Sequence, residues 1–395
     1  METSSGQQSY AGEPIAELLR ALESPDASSR MKATEALGQL GGVEVIPGLL
    51  KAFVDERSRI RRFALEALVK LGSTEAVPGL LQALTHPNFL VRVQAAEVLG
   101  QLDSRKAIPG LLTALEDPNE RVRRSTIRAL KALGSVEAIP GLRCALEDPA
   151  FSVREAAVWA LGALGCVEAI SDLLQVLADQ NPHICRSAAS ALEALNRETV
   201  SPILLQALHH ENPAVRSYVA RILGNLGCIE AIPELLAVLE DPIQSARWNA
   251  ALALGKMGRV EALPHLTTAL ESRPFTVESA QVLGELGQTE AIPSLVKALE
   301  IRDPSVIMSV GQALGKLGGV EAIPRLVQLV YLYDEWPREE LGAAAAAALE
   351  TFDITKASPR LLQNTISFKT LQSALENSNA TIRAGVIAVL KKLVR

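Results

Sequence analysis

The sequence predicts an all-α protein, a right-handed solenoid of about eleven to twelve stacked helix pairs. Three observations predict it. The first is a run of residues that recurs every 31 positions. Its clearest copy reads Val136-Glu137-Ala138-Ile139-Pro140-Gly141-Leu142, then Ala145-Leu146-Glu147-Asp148-Pro149, Val153-Arg154 and Ala160-Leu161-Gly162-Ala163-Leu164-Gly165. A fixed period of this length marks supersecondary units that bury their apolar faces against their neighbours. The second is helix punctuation by proline and glycine inside each copy. The third is composition: 48% of residues are hydrophobic but only 4% are aromatic. Alanine and leucine therefore supply the core, as close helix–helix contact requires.

Each copy holds two helices. The first opens near Glu-Ala-Ile-Pro, as at Glu230-Ala231-Ile232-Pro233. Proline is tolerated in a first turn because its missing N–H would be unpaired there anyway. The acidic residue before it suits the positive end of the helix dipole. Apolar residues then recur three and four apart at Leu235, Leu236, Val238 and Leu239. The helix stops at Glu240-Asp241-Pro242, since the next proline cannot continue it. In the clearest copy the second helix carries Val153, Ala157, Ala160, Leu161 and Leu164 on one face and stops at Gly165. The shared proline sits at 47, 78, 109, 140, 202, 233, 264, 293 and 324, with Ser171 in its place once. The step from Pro264 to Pro293 is two residues short, around Ser272-Arg273-Pro274.

The organisation expected is a disordered segment over 1–11, a solenoid over 12–352 and a divergent repeat or cap over 353–395. The pattern loosens after Pro324, where Tyr331 to Pro337 replaces the short turn. No apolar run approaches the ~18 residues of a membrane span. The first eleven residues lack a signal peptide's charged start and apolar centre. Four scattered cysteines without a Cys-x-x-Cys pair fit a reducing compartment. The expected location is the cytoplasm.

The net charge of −6 argues against a uniformly basic nucleic-acid surface. The charge is uneven: residues 1–131 hold 17 basic and 16 acidic side chains, so the excess of acid lies in the remainder. An arginine recurs at the start of the second helices: Arg30, Arg61, Arg92, Arg123, Arg154, Arg216 and Arg247, with Arg338 and Arg383 in the looser part. Cys185, Thr276 and Ile307 interrupt the series. The expected role is a structural ladder pairing each guanidinium with an aspartate or a loop carbonyl, which its forked donors suit.

Counted from the ladder arginine, places +1, +5 and +9 form one stripe along each second helix. If these helices line a concave wall, the stripe is the recognition surface. Two features stand out on it. Trp159, Arg186, Tyr218, Arg221, Trp248, Asn249 and Leu252 gather the side chains that dominate interface energetics. They suit a partner protein or a flat aromatic ligand, or equally gap-filling between repeats. Arg57, Arg59 and Arg62, beside Arg61, form a basic cluster, and Arg121, Arg124 and Arg128 form another two repeats later. These suit an acidic partner or a phosphate backbone, or a solvated charge run, since Glu56, Glu66, Glu97 and Glu120 interleave with them.

The motif Glu-Ala-Ile-Pro-x-Leu-x-x-Ala-Leu-Glu-Asp-Pro, with its following Val-Arg and Ala-Leu-Gly-x-Leu-Gly, resembles the short HEAT-like repeats of the phycobilisome-lyase type. The likeness covers Glu13 to Gly318 well and the rest loosely. Such repeats occur in bilin lyases, in phycobilisome-degradation factors and in scaffold proteins. The resemblance implies an alternative to a scaffold: a phycobilin lyase or phycobilisome assembly or degradation factor. Phycobilin would then be a bound ligand and a phycobiliprotein a partner. The Tyr-Tyr-Ala-Ala-Trp-Trp-like stretch usual near the N-terminus of such lyases is absent. Its nearest echoes are Ala156 to Leu161 and Arg247 to Ala251.

Catalytic chemistry finds no support. The histidines are His86, His183, His209, His210 and His265, and only His210-Glu211 forms the His-Glu pair that a related helical-repeat di-iron family uses several times. Cys166 and Cys228 stand two repeats apart, about 20 Å at ~10 Å per stacked helix, too far to share a metal. No cofactor and no metal are expected. The reading is a non-catalytic scaffold that grips another protein on its concave face, with no membrane partner and with nucleic acid, through the N-terminal arginines, ranked behind a protein.

Overall fold

The structure is a computed structural model that describes residues 12–352 except 324, 327, 328 and 330–338. The expectations for residues 1–11 and 353–395, for Arg338 and Arg383, and for Tyr331 to Pro337 lie outside the described residues. The fold is an all-α solenoid of helix pairs, with no strand among the described residues. Its contacts divide the chain into two units, residues 1–200 and 201–395. No helix among the described residues is long and apolar enough to cross a membrane.

In the first unit the pairs are α1 (Gly12–Ala21) with α2 (Ala27–Leu40), α3 (Ile46–Phe53) with α4 (Ser58–Leu71), and α5 (Val77–Ala83) with α6 (Phe89–Gln101). Then follow α7 (Ile108–Ala114) with α8 (Glu120–Ala132), α9 (Ile139–Cys144) with α10 (Phe151–Ala163), and α11 (Ile170–Val176) with α12 (Pro182–Glu193). Next come α13 (Arg197–Ala207), α14 (Pro213–Leu226), α15 (Ile232–Val238), α16 (Gln244–Lys256), α17 (Leu263–Ala269), α18 (Arg273–Leu286), α19 (Ile292–Ala298), α20 (Pro304–Leu317) and α21 (Glu339–Glu350). Within each unit, successive second helices pack side by side.

The opening of the first helix is built in two steps. Val136–Ala138 forms a single 3₁₀ turn, and the α-helix starts at Ile139 with Pro140 in its first turn. The expected continuous opening at Glu-Ala-Ile-Pro is thus a tight turn followed by a helix. Pro202 departs further, since it lies inside α13. There Asn196 stands where other copies have glycine, and its Oδ1 accepts the Glu198 N–H at 2.8 Å. That cap starts the helix a turn early. Most second helices stop at a left-handed glycine, such as Gly165 at φ +64°. Asp103 takes the same conformation at φ +47°, the one non-glycine among the described residues with positive φ.

Each repeat commits one leucine from each helix to the core. Leu80, Leu111, Leu142 and Leu173, and on the second helices Leu99, Leu130, Leu161 and Leu192, are fully buried. Each such burial stabilises by about 1.5–3 kcal/mol. Between second helices the spacing is set by small residues. A Cβ on Gly162 would lie 2.8 Å from Ala191 Cβ, and one on Gly224 would lie 2.6 Å from Ala253 Cα. These glycines are where backbone meets backbone.

The recurring arginine spans two repeats. Arg92 donates from Nη1 to the carbonyls of His86 at 2.8 Å and Pro87 at 3.1 Å, in the turn before its own helix. Its Nε and Nη2 donate to both carboxylate oxygens of Asp117, in the next repeat's turn, at 2.6 and 2.9 Å. Asp117 also accepts the Asn119 N–H at 2.8 Å. Arg30–Asp55, Arg123–Asp148, Arg154–Asp179 and Arg216–Asp241 repeat this rung. Two rungs lack the expected aspartate. Arg61 and Arg247 keep the carbonyl bonds, at 2.8 Å to Asp55 and 2.6 Å to Asp241, but the next turns offer His86 and Ser272 instead. Arg61 is only 3% exposed and its Nε has no acceptor. Where the arginine is missing, Cys185 Sγ reaches the Asp179 carbonyl at 3.2 Å and Thr276 Oγ1 reaches that of Leu270 at 3.0 Å.

Burial works against ionisation of Asp55, Asp117 and Asp148, but the arginine bond, the backbone N–H and a second nearby guanidinium together outweigh it. At Asp241 the Arg216 bond is the largest influence. All four carboxyls sit below their ordinary value of 3.8. In the unfolded chain they take up protons near that value, before the folded ones do. The rungs' contribution is therefore complete at neutral pH and lost as pH falls below about 4.

Three outcomes follow for denaturant unfolding. Asp117→Ala strands the Arg92 guanidinium and lowers stability by about 1–3 kcal/mol at pH 7, with a smaller difference at pH 3. His86→Asp supplies the missing carboxylate to Arg61 and raises stability by about 1 kcal/mol. Gly162→Ala forces α10 and α12 apart and costs about 1–3 kcal/mol.

Candidate functional site

The second helices of the first unit present a broad exposed face. α6 packs on α8, α8 on α10, and α10 on α12. Residues three and four apart share a helix face. The outward stripes are therefore Leu90, Val93 and Glu97 on α6, Arg121, Arg124 and Arg128 on α8, Ser152, Glu155 and Trp159 on α10, and His183, Arg186 and Ser190 on α12. The buried leucines and alanines on the opposite side of each helix fix this orientation.

An open groove of about 390 Å³ crosses this face, lined by Leu90, Val93 and Glu97, by Glu120, Arg121 and Arg124, and by Phe151 and Ser152. Its ends are apolar: Leu90 is exposed and Phe151 is 59% exposed. Its floor is basic. Among the described residues no hydrogen bond or ion pair engages the side chains of Arg121, Arg124 or Arg128, although Glu97, Glu120 and Glu155 lie on the same face. Arg124 Nε is shielded from water and has no acceptor. Trp159, two turns along α10 from Phe151, is 46% exposed.

The first basic cluster differs. Arg57 approaches Glu56 at 3.8 Å, Arg62 approaches Glu66 at 3.6 Å, and Arg59 lies over the Phe63 ring at 5.9 Å. Arg61 belongs to the ladder. These charges are met locally, whereas those of α8 are not.

The expected tryptophan-rich patch separates into parts with different roles. Trp159 and Arg186 are exposed in the first unit, with Arg186 Nη2 at 2.9 Å from His183 Nδ1. Tyr218 and Arg221, in the second unit, stack on each other at 5.0 Å and are half-buried. Trp248, Asn249 and Leu252 are not surface residues, which corrects the expectation. Trp248 is 8% exposed and stacks on Phe275 of α18 with ring centroids 4.8 Å apart. Asn249 Nδ2 donates to Ser217 Oγ at 2.8 Å and to the Ser245 carbonyl at 3.0 Å. Leu252 is 1% exposed. The partners Phe275 and Ser217 lie on neighbouring second helices, so these side chains close the seams between repeats.

Sequence reasoning missed Leu90 and Phe151. Its stripe began one place after the ladder arginine, and the groove extends one turn further toward the helix starts. Places two and three before the arginine carried that signal.

Among the described residues no three His, Cys, Asp or Glu side chains gather as a metal site. Burial pushes the Cys166 thiol above its ordinary range, with Glu168 adding to the rise, which keeps it protonated and unreactive.

The profile of HEAT repeats matches residues 15–88, 77–151, 108–196, 139–212, 200–280 and 272–350. The chain belongs to the HEAT-repeat family. Among solved structures it is similar to importin beta, at 15% identity over 96% of this chain and 62% of that one, with a TM-score of 0.64. It is also similar to Kap121p bound to Nup53p, at 13% identity over 96% of this chain and 49% of that one, with a TM-score of 0.69. The chain thus spans less than two thirds of either protein, and both likenesses concern the fold alone. The complex of CpcE and CpcF of phycocyanin lyase from Nostoc aligns over 67% of this chain and 96% of its own, at 24% identity, but with a TM-score of 0.32. No curated protein matches the chain.

The two tryptophans should separate cleanly by unfolding. Trp248→Ala opens a seam and lowers stability by about 3–5 kcal/mol, whereas Trp159→Ala changes it by less than about 0.5 kcal/mol.

Proposed function

We propose that this protein is a non-catalytic scaffold of the cytoplasm that grips a protein partner through the second-helix face of its first unit. One observation carries the reading: Arg121, Arg124 and Arg128, whose side chains are engaged by no ion pair or hydrogen bond among the described residues, lie on the face that also exposes Trp159 and Phe151. Exposed arginine and aromatic side chains in one patch are what interface hot spots are made of. A charge left without a partner inside a folded chain is stabilised when another molecule supplies it. Kap121p, whose fold this chain resembles, is solved bound to Nup53p.

A second reading draws on the same residues. A tetrapyrrole, as a phycobilin lyase or phycobilisome factor would handle it, has a flat ring system for Trp159 and propionates for the arginines. It asks for a specific ligand and, in its lyase form, a covalent step, where the first reading asks only for a protein surface, and so it stands second.

Affinity capture from the native host tests the first reading, with wild-type bait beside Trp159→Ala/Arg124→Glu bait. The expected result is a specific partner held by the wild type and lost by the variant at unchanged melting temperature. Equal recovery on both baits would remove the face from consideration. Addition of a phycobilin with a phycobiliprotein should give no coloured adduct, and an adduct would favour the second reading.

A further inference from the structure

We infer that the α6–α8–α10 groove takes a short acidic segment of the partner, in extended form, with an apolar side chain at each end and two carboxylates between. The inference rests on the scaffold reading and specifies its chemistry.

The ends of the groove are set by Leu90 and Phe151, on the first turns of α6 and α10. With ~10 Å between stacked helices, these lie about 20 Å apart. An extended strand rises ~3.3 Å per residue, so about six or seven residues span them. By the 31-residue register the middle of that span passes over Glu120 and Arg121, with Arg124 one turn further along α8. Neither guanidinium has an acceptor, and Arg124 Nε is already withdrawn from water. Carboxylates match the guanidinium fork two bonds at a time, which lysine-directed or neutral groups cannot do.

The rim narrows the choice of anion. Glu97 and Glu120 line the same groove, and Glu155 stands beside Arg124 on the next helix. Three carboxylates thus accompany three guanidiniums across the face. A nucleic-acid backbone, charged at every step, would meet the carboxylates as often as the arginines. Glu97 and Glu120 are exposed to solvent, whereas Arg124 Nε is withdrawn from it, so the unmet demand in the groove is for an acceptor, which a peptide with two central carboxylates supplies. Its apolar ends then cover Leu90 and Phe151, which are otherwise left in water.

The test uses the full chain and a fluorescein-labelled seven-residue peptide, Leu-Ser-Glu-Ser-Glu-Ser-Leu, read by fluorescence anisotropy at ~50 mM salt. Comparison probes are the same peptide with glutamine for glutamate, the same with lysine, and a 12-base-pair DNA duplex. The expected dissociation constant for the acidic peptide is about 10–100 μM. Arg121→Glu/Arg124→Glu/Arg128→Glu should weaken it at least tenfold. Arg124→Gln should give a smaller loss in the same direction. Arg57→Glu/Arg59→Glu/Arg62→Glu should leave it within twofold. Melting temperatures confirm that each variant is folded. Equal binding of the glutamine peptide, tighter binding of DNA or the lysine peptide, or indifference to the α8 variants would overturn the inference. Should no acidic peptide bind up to ~1 mM while capture still depends on Trp159, the assigned chemistry falls and the scaffold stands.

Discussion

The rest of the stack depends on a recurring guanidinium, which in five repeats is held between two turns. The turn joining the helices of a pair leaves carbonyls that no helix can satisfy. Arginine reaches back to them with Nη1 and forward to the next repeat's aspartate with Nε and Nη2. One side chain thus closes its own turn and sets its distance to the next. The exceptions rank the two jobs. Cys185 and Thr276 lack both charge and reach, yet each still bonds the carbonyl six residues back. Arg61 and Arg247 lose the aspartate and keep the same bond. In these four repeats closing the turn outlasts the forward ion pair, while Ile307 has no donor for either and leaves the Ile301 carbonyl to the Asp303 N–H.

With turns and spacing fixed, the helices meet through alanine, leucine and glycine. That choice has a functional corollary. Interior positions are small and nearly uniform, so a bulky side chain must either find a seam or stand in water. Trp248 and Trp159 show both fates. Phe275 of the following helix covers the first, while the stripes on either side of the second hold Arg128 and Ser190 and offer no matching ring. The same comparison distinguishes the two basic clusters, since only the one on α8 lacks local carboxylate or aromatic contacts.

Much of the fold was legible in the sequence because it is written in local chemistry. A proline in the first turn, a glycine at the stop and a leucine two places after the proline each report a backbone requirement that recurs in every copy. The site was less legible, for a physical reason. Exposure of a second-helix residue depends on what the adjacent repeat places opposite it, a distance of about 30 residues in sequence. Asn249 has a surface residue's polarity, yet Ser217 on the neighbouring helix satisfies its amide. Phe151 has a core residue's composition, yet nothing covers it. Place-by-place counting along one helix finds the stripe but not its cover.

The break at Arg61 and His86 divides the first unit energetically. Rungs run only from one repeat to the next, so cooperativity travels along the stack as a series of nearest-neighbour couplings. Up to Arg30 and Asp55, and again from Arg92 to Asp179, neighbours are clamped by a charged bond; between them no such bond is found among the described residues. Amide protons of α1 to α4 should then exchange through a separate, lower-energy opening than those of α6 to α10. The groove-bearing helices can stay closed while the leading edge of the array breathes.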